Sequence, residues 1–184
     1  MTAIEWRTRL FGRGADMAAP GTRKYLMRRQ IARAHDDSPI EDEEGALAFS
    51  VDGESMRLGR SLIVRNPHGN PLFRIPERTL HLKEFMEIEH GCGGTAATVR
   101  RTGLGSSRDR WTVTLHGPGD RRAVLRLRGS IADCEYRIVA VDRQVAEVSK
   151  RWFRLRNTYG VEIPPGEDEA LLLTIAAAVE QMAR

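Results

Sequence analysis

The chain has 184 residues and a formal net charge of +4, with 41% hydrophobic and 29% charged residues. Its length fits one domain with a loose terminus, and its composition excludes a mostly disordered chain. The charge excess is milder than that of a dedicated DNA-binding domain, so we expect no nucleic-acid partner. No apolar run reaches the ~18 residues of a transmembrane helix. The two cysteines, Cys92 and Cys134, lack zinc-site spacing and favour a reducing cytoplasm.

The first 23 residues are predicted to be a flexible N-terminal extension, because glycines and Pro20 interrupt every regular pattern. Residues 24–184 are predicted to form a single domain. Within them, segments that alternate apolar and polar side chains recur every 22–25 residues, starting at Ile40, Leu62, Met86, Trp111, Tyr136 and Tyr159. Most are followed by a turn and a return strand, so the pattern predicts about twelve antiparallel strands.

The end of the chain has a different pattern. Pro164 to Gly166 end the last strand, and the acidic residues that follow suit the start of a helix. We predict one helix over residues 167–184. Ala170 to Val179 has almost no polar face, so this helix must be buried or in lipid. The simplest arrangement is a closed barrel of about twelve strands around one central hydrophobic helix. A two-layer sandwich is the alternative, and it would leave half of the helix wet.

Five motifs carry a family resemblance. They are Tyr-Leu-Met-Arg at 25–28, Ile-Glu-Asp-Glu-Glu-Gly at 40–45, Val-Ser-Lys-Arg-Trp-Phe at 148–153, Asn-Thr-Tyr-Gly-Val at 157–161 and Gly-Glu-Asp-Glu-Ala-Leu-Leu-Leu at 166–173. Together they resemble the LURP-one-related (LOR) family over about residues 23–184. That family shares its fold with the tubby C-terminal domain and the phospholipid scramblases. The resemblance therefore implies a twelve-stranded barrel around a C-terminal helix, and a lipid or membrane partner.

Catalytic and metal motifs are missing from the sequence. It contains no Walker A, G-x-S-x-G or H-E-x-x-H pattern, and its five histidines are scattered. The acidic run over residues 36–44 lacks the spacing of a calcium loop, so we expect a solvated hairpin tip there. The sequence thus predicts a protein that is not an enzyme and that has no cofactor and no metal.

Basic residues form the candidate site. By alternation, Arg126 and Arg128 share the solvent face of one strand, and four more basic residues lie around the next hairpin. The predicted ligand-binding residues are Arg126, Arg128, Lys150, Arg151, Arg154 and Arg156. If they meet, they form a site for anionic lipid headgroups, whereas ordinary solubilising charge is the alternative.

The predicted function is a non-enzymatic barrel domain that binds anionic phospholipid, phosphoinositide or a lipid-like ligand. We expect a cytoplasmic protein, peripheral at the inner membrane face. A soluble scaffold for a protein partner, scramblase-like lipid handling and an unrecognised enzyme are the alternatives.

Overall fold

The computed structural model describes residues 21–28, 38–53, 61–80, 82–102, 110–141, 143–151 and 158–183. These residues form twelve strands and two helices. The first strands are β1 (Arg23–Arg28), β2 (Ser38–Asp42), β3 (Leu47–Gly53), β4 (Leu62–Arg65) and β5 (Pro71–Ile75), followed by the short helix α1 (Glu77–Leu80). Then come β6 (Phe85–His90), β7 (Thr95–Thr102), β8 (Arg110–His116), β9 (Arg122–Ser130), β10 (Glu135–Ala140), β11 (Arg143–Ser149), β12 (Thr158–Ile163) and the helix α2 (Glu169–Met182).

The strands close into one barrel. Each strand pairs antiparallel with its neighbours in sequence, and β1 pairs with β12, with Met27 opposite Tyr159. The predicted closed antiparallel barrel is therefore confirmed, and the two-layer alternative is wrong. Closure gives every strand two partners and removes the exposed edges that would invite aggregation.

The period-two pattern of the sequence sets the two sides of the sheet. In β8, Trp111, Val113 and Leu115 are buried, whereas the two threonines between them are partly exposed. Successive side chains of a strand point to opposite faces, so each strand contributes one apolar row to the interior and one polar row to the outside. The same alternation holds in β9 and β10.

The helix α2 begins two residues later than residue 167, where the sequence predicts its start. Asp168 has an extended backbone, with φ −79° and ψ 92°, and its carboxylate accepts a hydrogen bond of 3.0 Å from the backbone N–H of Leu171. Asp168 is therefore the N-cap, which satisfies one of the free N–H groups at the helix start. Glu167 consequently lies before the helix rather than in it.

The interior of the barrel is filled by α2. Every residue from Ala170 to Glu180 is buried, and Leu173, Ile175 and Val179 have no exposed surface. The Thr174 hydroxyl donates to the carbonyl of Ala170 at 2.7 Å, so this polar group is satisfied within the helix. The predicted central hydrophobic C-terminal helix is confirmed, and an apolar surface on all sides is what a helix enclosed by strands requires.

Candidate functional site: a basic face and an adjoining groove

The outer surface of β7, β8 and β9 carries arginines and no acidic residue. These three strands contain no Asp or Glu. Five exposed arginines lie on this surface, which we call the basic face: Arg100, Arg110, Arg122, Arg126 and Arg128. Concentrated charge of one sign creates a local potential that attracts anions.

The strand register holds the basic face together. Trp111 pairs with Leu127 and both point inward, so the residues next to them point outward. Thr112 pairs with Arg126 on one side and with Arg100 on the other, which places these two arginines about 10 Å apart across three strands. Arg128 follows Arg126 on the same outer row of β9, about 7 Å along the strand.

The guanidinium groups of the basic face are not neutralised. Within the described residues, none of the five arginines forms an ion pair. Arg100 lies over the ring of Phe85 at 5.1 Å from its centroid, a cation–π contact that leaves the positive charge in place. The face therefore presents open donors and uncompensated charge to solvent.

Apolar side chains lie within the basic face. Val124 is 50% exposed and lies between Arg122 and Arg126 on β9. Val139, on β10, is partly exposed and pairs with Arg126. Within β7–β9 the aromatic Trp111 is buried, so valines are the large apolar groups on this surface.

A groove of about 590 Å³ adjoins the basic face over β9, β10 and β11. Its charged residues are Arg128, Arg137, Arg151, Glu135 and Glu147. Arg137 pairs with Arg128 across β9 and β10 and with Glu147 across β10 and β11. Arg128, Arg137 and Glu147 thus form one continuous row across the outer face of β9, β10 and β11.

Two carboxylates lie near the arginines of the groove. Glu147 Oε2 lies 3.5 Å from Nε of Arg137. Glu135 accepts hydrogen bonds from the Ser149 hydroxyl at 2.9 and 3.0 Å and from the backbone N–H of Lys150 at 3.0 Å, and its Oε2 lies 3.7 Å from Nε of Arg151. Both ion-pair distances exceed that of a close hydrogen bond, and the Arg137 and Arg151 side chains stay 60% and 84% exposed.

Gly129 brings β9 and β10 close together beside the groove. Its φ is 127°, which disfavours other residues. A Cβ atom at this position would lie 2.4 Å from the carbonyl oxygen of Glu135 and 2.8 Å from Cα of Tyr136. A glycine is therefore required where the strand that carries Arg128 approaches the strand that carries Arg137.

The structure places four of the six predicted site residues. Arg126 and Arg128 lie on the basic face, and Arg128 and Arg151 line the same groove. Lys150 is half-buried and contributes its backbone N–H to Glu135. Arg154 and Arg156 lie outside the described residues.

Four further arginines of the basic face and the groove were not among the predicted site residues. They are Arg100, Arg110, Arg122 and Arg137. Alternation around the buried Tyr136 and Ile138 would have placed Arg137 outside. Its position opposite Arg128 depends on the register between β9 and β10, which local alternation does not supply.

The described part of the acidic run, residues 38–44, covers β2 and the start of the hairpin tip between β2 and β3. Asp42 Oδ1 accepts hydrogen bonds from the backbone N–H groups of Glu44 at 3.1 Å and Ala46 at 2.8 Å. This agrees with the expected turn. Across the described ranges, no three His, Cys, Asp or Glu side chains are grouped so that they could hold a metal ion.

A second groove, of about 450 Å³, lies between this tip and the start of α2. The Tyr25 hydroxyl donates to Glu169 at 2.6 Å, and Arg23 Nη1 lies 3.3 Å from the same carboxylate oxygen. Burial, followed by the hydrogen bond to Glu169, raises the pKa of Tyr25. Four acidic residues and two basic residues line this groove, so it lacks the excess of positive charge that the basic face has.

A buried ion pair lies just before α2. The carboxylate of Glu167 accepts a hydrogen bond from Arg143, and its side chain has no exposed surface. Burial raises the pKa of Glu167 to about 7, against the opposing effect of Arg143. Its Oε2 has no hydrogen-bond partner. This carboxyl group therefore changes protonation near neutral pH.

Neither helix of the described residues has the length and apolar character that crossing a membrane requires.

Comparison with known proteins identifies the family. No curated protein sequence matches the chain significantly. A crystal structure of a protein from Arabidopsis thaliana matches with a TM-score of 0.65 at 21% identity, and the match covers 94% of this chain and 99% of that one. This structural match shows that the two proteins share a fold. The family model described as LURP-one-related matches residues 23–180. The chain therefore belongs to the LURP-one-related (LOR) family.

Proposed function

We propose that this chain is a non-enzymatic barrel domain that docks on anionic phospholipid through the basic face. The observation that carries the proposal is the set of five exposed arginines on three adjacent strands without a single acidic residue. Because α2 occupies the interior of the barrel, we place the lipid on the outer surface rather than inside it.

Electrostatics gives the proposed docking its strength. Each basic residue close to an anionic membrane contributes roughly 1 kcal/mol, so five arginines contribute roughly 5 kcal/mol before the cost of immobilisation. An association of this size is weak, reversible and sensitive to salt. The leaflet that carries such lipids faces the cytoplasm, which is the location that we propose.

The side chains between the arginines favour lipid over nucleic acid. Val124 is half-exposed and can enter the apolar part of a bilayer interface, where its burial is favourable. Proteins that bind single strands without sequence preference use aromatic side chains to stack the bases. Trp111, in β8, is buried, and the ring of Phe85 beside the basic face lies under the Arg100 guanidinium at 5.1 Å. A mixed arginine and valine surface therefore fits a headgroup layer better.

Vesicle sedimentation tests the proposal. We expect the protein to sediment with phosphatidylcholine vesicles that contain phosphatidylglycerol, but not with pure phosphatidylcholine vesicles. Binding should fall by roughly tenfold or more as salt is raised from low to physiological strength, because screening weakens contacts between exposed charges. Equal sedimentation with both vesicles, none with either, or preference for duplex DNA at the same ionic strength would overturn the proposal.

A further inference from the structure

We propose that the groove beside the basic face binds a phosphomonoester group. This inference rests on the proposed function, since it specifies which anionic headgroup the docked domain would select. Arg128, Arg137 and Arg151 line the groove. Its volume of about 590 Å³ is in the range of small-molecule sites, so a phosphate and the part of the ligand bonded to it would fit.

The carboxylates at the groove act as positioning groups. Glu147 approaches Arg137 at Nε, and Glu135 approaches Arg151 at Nε. A guanidinium held at its Nε edge keeps the donors of its outer edge, between the two Nη groups, for another acceptor.

Arg128 and Arg137 are unfavourable neighbours without a ligand. They pair directly across β9 and β10, and like charges in this position repel each other. Glu147 compensates Arg137, whereas Arg128 forms no ion pair within the described residues. An anion between them would accept hydrogen bonds from both and remove the repulsion.

Three guanidinium groups match a monoester better than a diester. A phosphomonoester carries roughly −1.5 to −2 charge near neutral pH and offers three terminal oxygens. A phosphodiester carries a single charge on two free oxygens, and one bidentate arginine can satisfy both. A site with Arg128, Arg137 and Arg151 therefore has donors that a diester leaves unused.

The test compares two anionic lipids in vesicles matched for surface charge: phosphatidic acid, a monoester, and phosphatidylglycerol, a diester. We expect the wild-type protein to bind phosphatidic acid vesicles roughly tenfold more tightly, the value of one charge-assisted hydrogen bond. Arg137→Lys and Arg151→Lys keep the charge but lose the planar fork. Each should abolish the preference, while the protein still sediments with phosphatidylglycerol vesicles through the basic face. Arg126→Lys, outside the groove, is the matched control and should keep the preference.

The outcomes separate this inference from the proposed function. Equal binding of both lipids by the wild-type protein, or a full preference in Arg137→Lys, would overturn the groove site while membrane docking still holds. Calorimetry with soluble glycerol 3-phosphate distinguishes the source of the phosphate. If it binds the wild-type protein but not Arg137→Lys, and no vesicle is bound, the groove site holds with a free phosphomonoester as ligand and membrane docking fails. Thermal melts establish that the variants are folded.

Discussion

The basic face and the outer surface of β11, β12 and β1 belong to the same sheet but differ in whether their charged side chains form ion pairs. On β11 and β12, Glu147 and Glu162 each lie within ion-pair distance of a base on a neighbouring strand: Arg137 at 3.5 Å and Lys24 at 3.7 Å. Within the described residues, the five arginines of the basic face have no such acidic partner. We call the outer surface of β11, β12 and β1 the paired face. A surface with interspersed charges of both signs is sufficient for solubility. The unpaired arginines of the basic face therefore indicate a partner outside the chain.

The two faces exist only while the barrel is closed around α2. We expect Leu172→Asp to prevent the barrel from folding. Leu172 is 4% exposed, so the substitution buries an unpaired carboxylate in the interior. The cost exceeds the few kcal/mol of stability that a domain typically has to spare, and we expect no folded protein by near-ultraviolet circular dichroism. Val141→Asp introduces the same side chain at a position that is 79% exposed and should fold. A cooperative, wild-type-like melt of Leu172→Asp would contradict the account of the core.

Charge reversal on the two faces should separate them by function. Arg126→Glu with Arg128→Glu should reduce binding to anionic vesicles by roughly a hundredfold or more, because each arginine changes from attraction to repulsion. Arg23→Glu with Lys24→Glu changes the net charge by the same amount near the paired face and should reduce binding far less. Vesicle sedimentation at low salt measures both. If the two double variants lose binding equally, net charge and not the basic face is responsible.

Away from both faces, Glu167 predicts a pH dependence of stability. Burial raises its pKa in the folded state to about 7, from the ordinary 4.5 of a glutamate side chain. The folded protein therefore holds this proton more tightly, and the stabilisation is present at low pH and lost as pH rises through about 7. We therefore expect the free energy of unfolding of the wild-type protein to decrease as the pH rises from 4.5 to about 7.

The matched variant for this effect is Glu167→Gln, which cannot titrate. Urea unfolding across the same pH range should show a smaller decline for the variant than for the wild-type protein. Parallel curves for the two proteins would show that Glu167 does not take up the proton.

The smallest effects expected are changes in the free energy of unfolding, which should differ in sign between the paired face and the basic face. Glu162→Gln leaves Lys24 without its partner and should lower the free energy of unfolding by up to about 0.5 kcal/mol at low salt. Arg126→Gln removes repulsion within the basic face and should leave stability unchanged or raise it by a few tenths of a kcal/mol, roughly the size of one like-charge contact. Differential scanning calorimetry at low and high salt measures both shifts. A loss of stability in Arg126→Gln that matches Glu162→Gln would show that the basic face is stabilised like the paired face.

The architecture of this protein follows from local patterns in its sequence. Alternation around residues such as Trp111 and Val113 fixes which side chains face inward, and turn residues fix where strands reverse. A helix that is apolar on all sides, from Ala170 to Val179, requires enclosure. These are short-range signals, so the barrel and its central helix could be predicted before the structure.

The site depends on longer-range geometry and was only partly predictable. Alternation within β9 identified Arg126 and Arg128 as outward residues. The pairing of Arg128 with Arg137, and of Thr112 with both Arg100 and Arg126, depends on the register between strands. That register depends on close approaches such as the one at Gly129, where no Cβ fits. Local alternation gives no signal for which strand a given arginine will oppose.

A pair of environment-sensitive fluorophores tests the central claim most directly. Val124, on the basic face, and Leu47, on β3, are 50% and 48% exposed. They lie on opposite sides of the barrel, because six strand positions separate β9 from β3 in the closed order of twelve. Each is replaced by cysteine and labelled in a background where the exposed Cys92 is serine. On addition of anionic vesicles, the account predicts increased, blue-shifted emission from the probe at position 124 and no change at position 47. An equal response at both positions, or a response at position 47 alone, would contradict it.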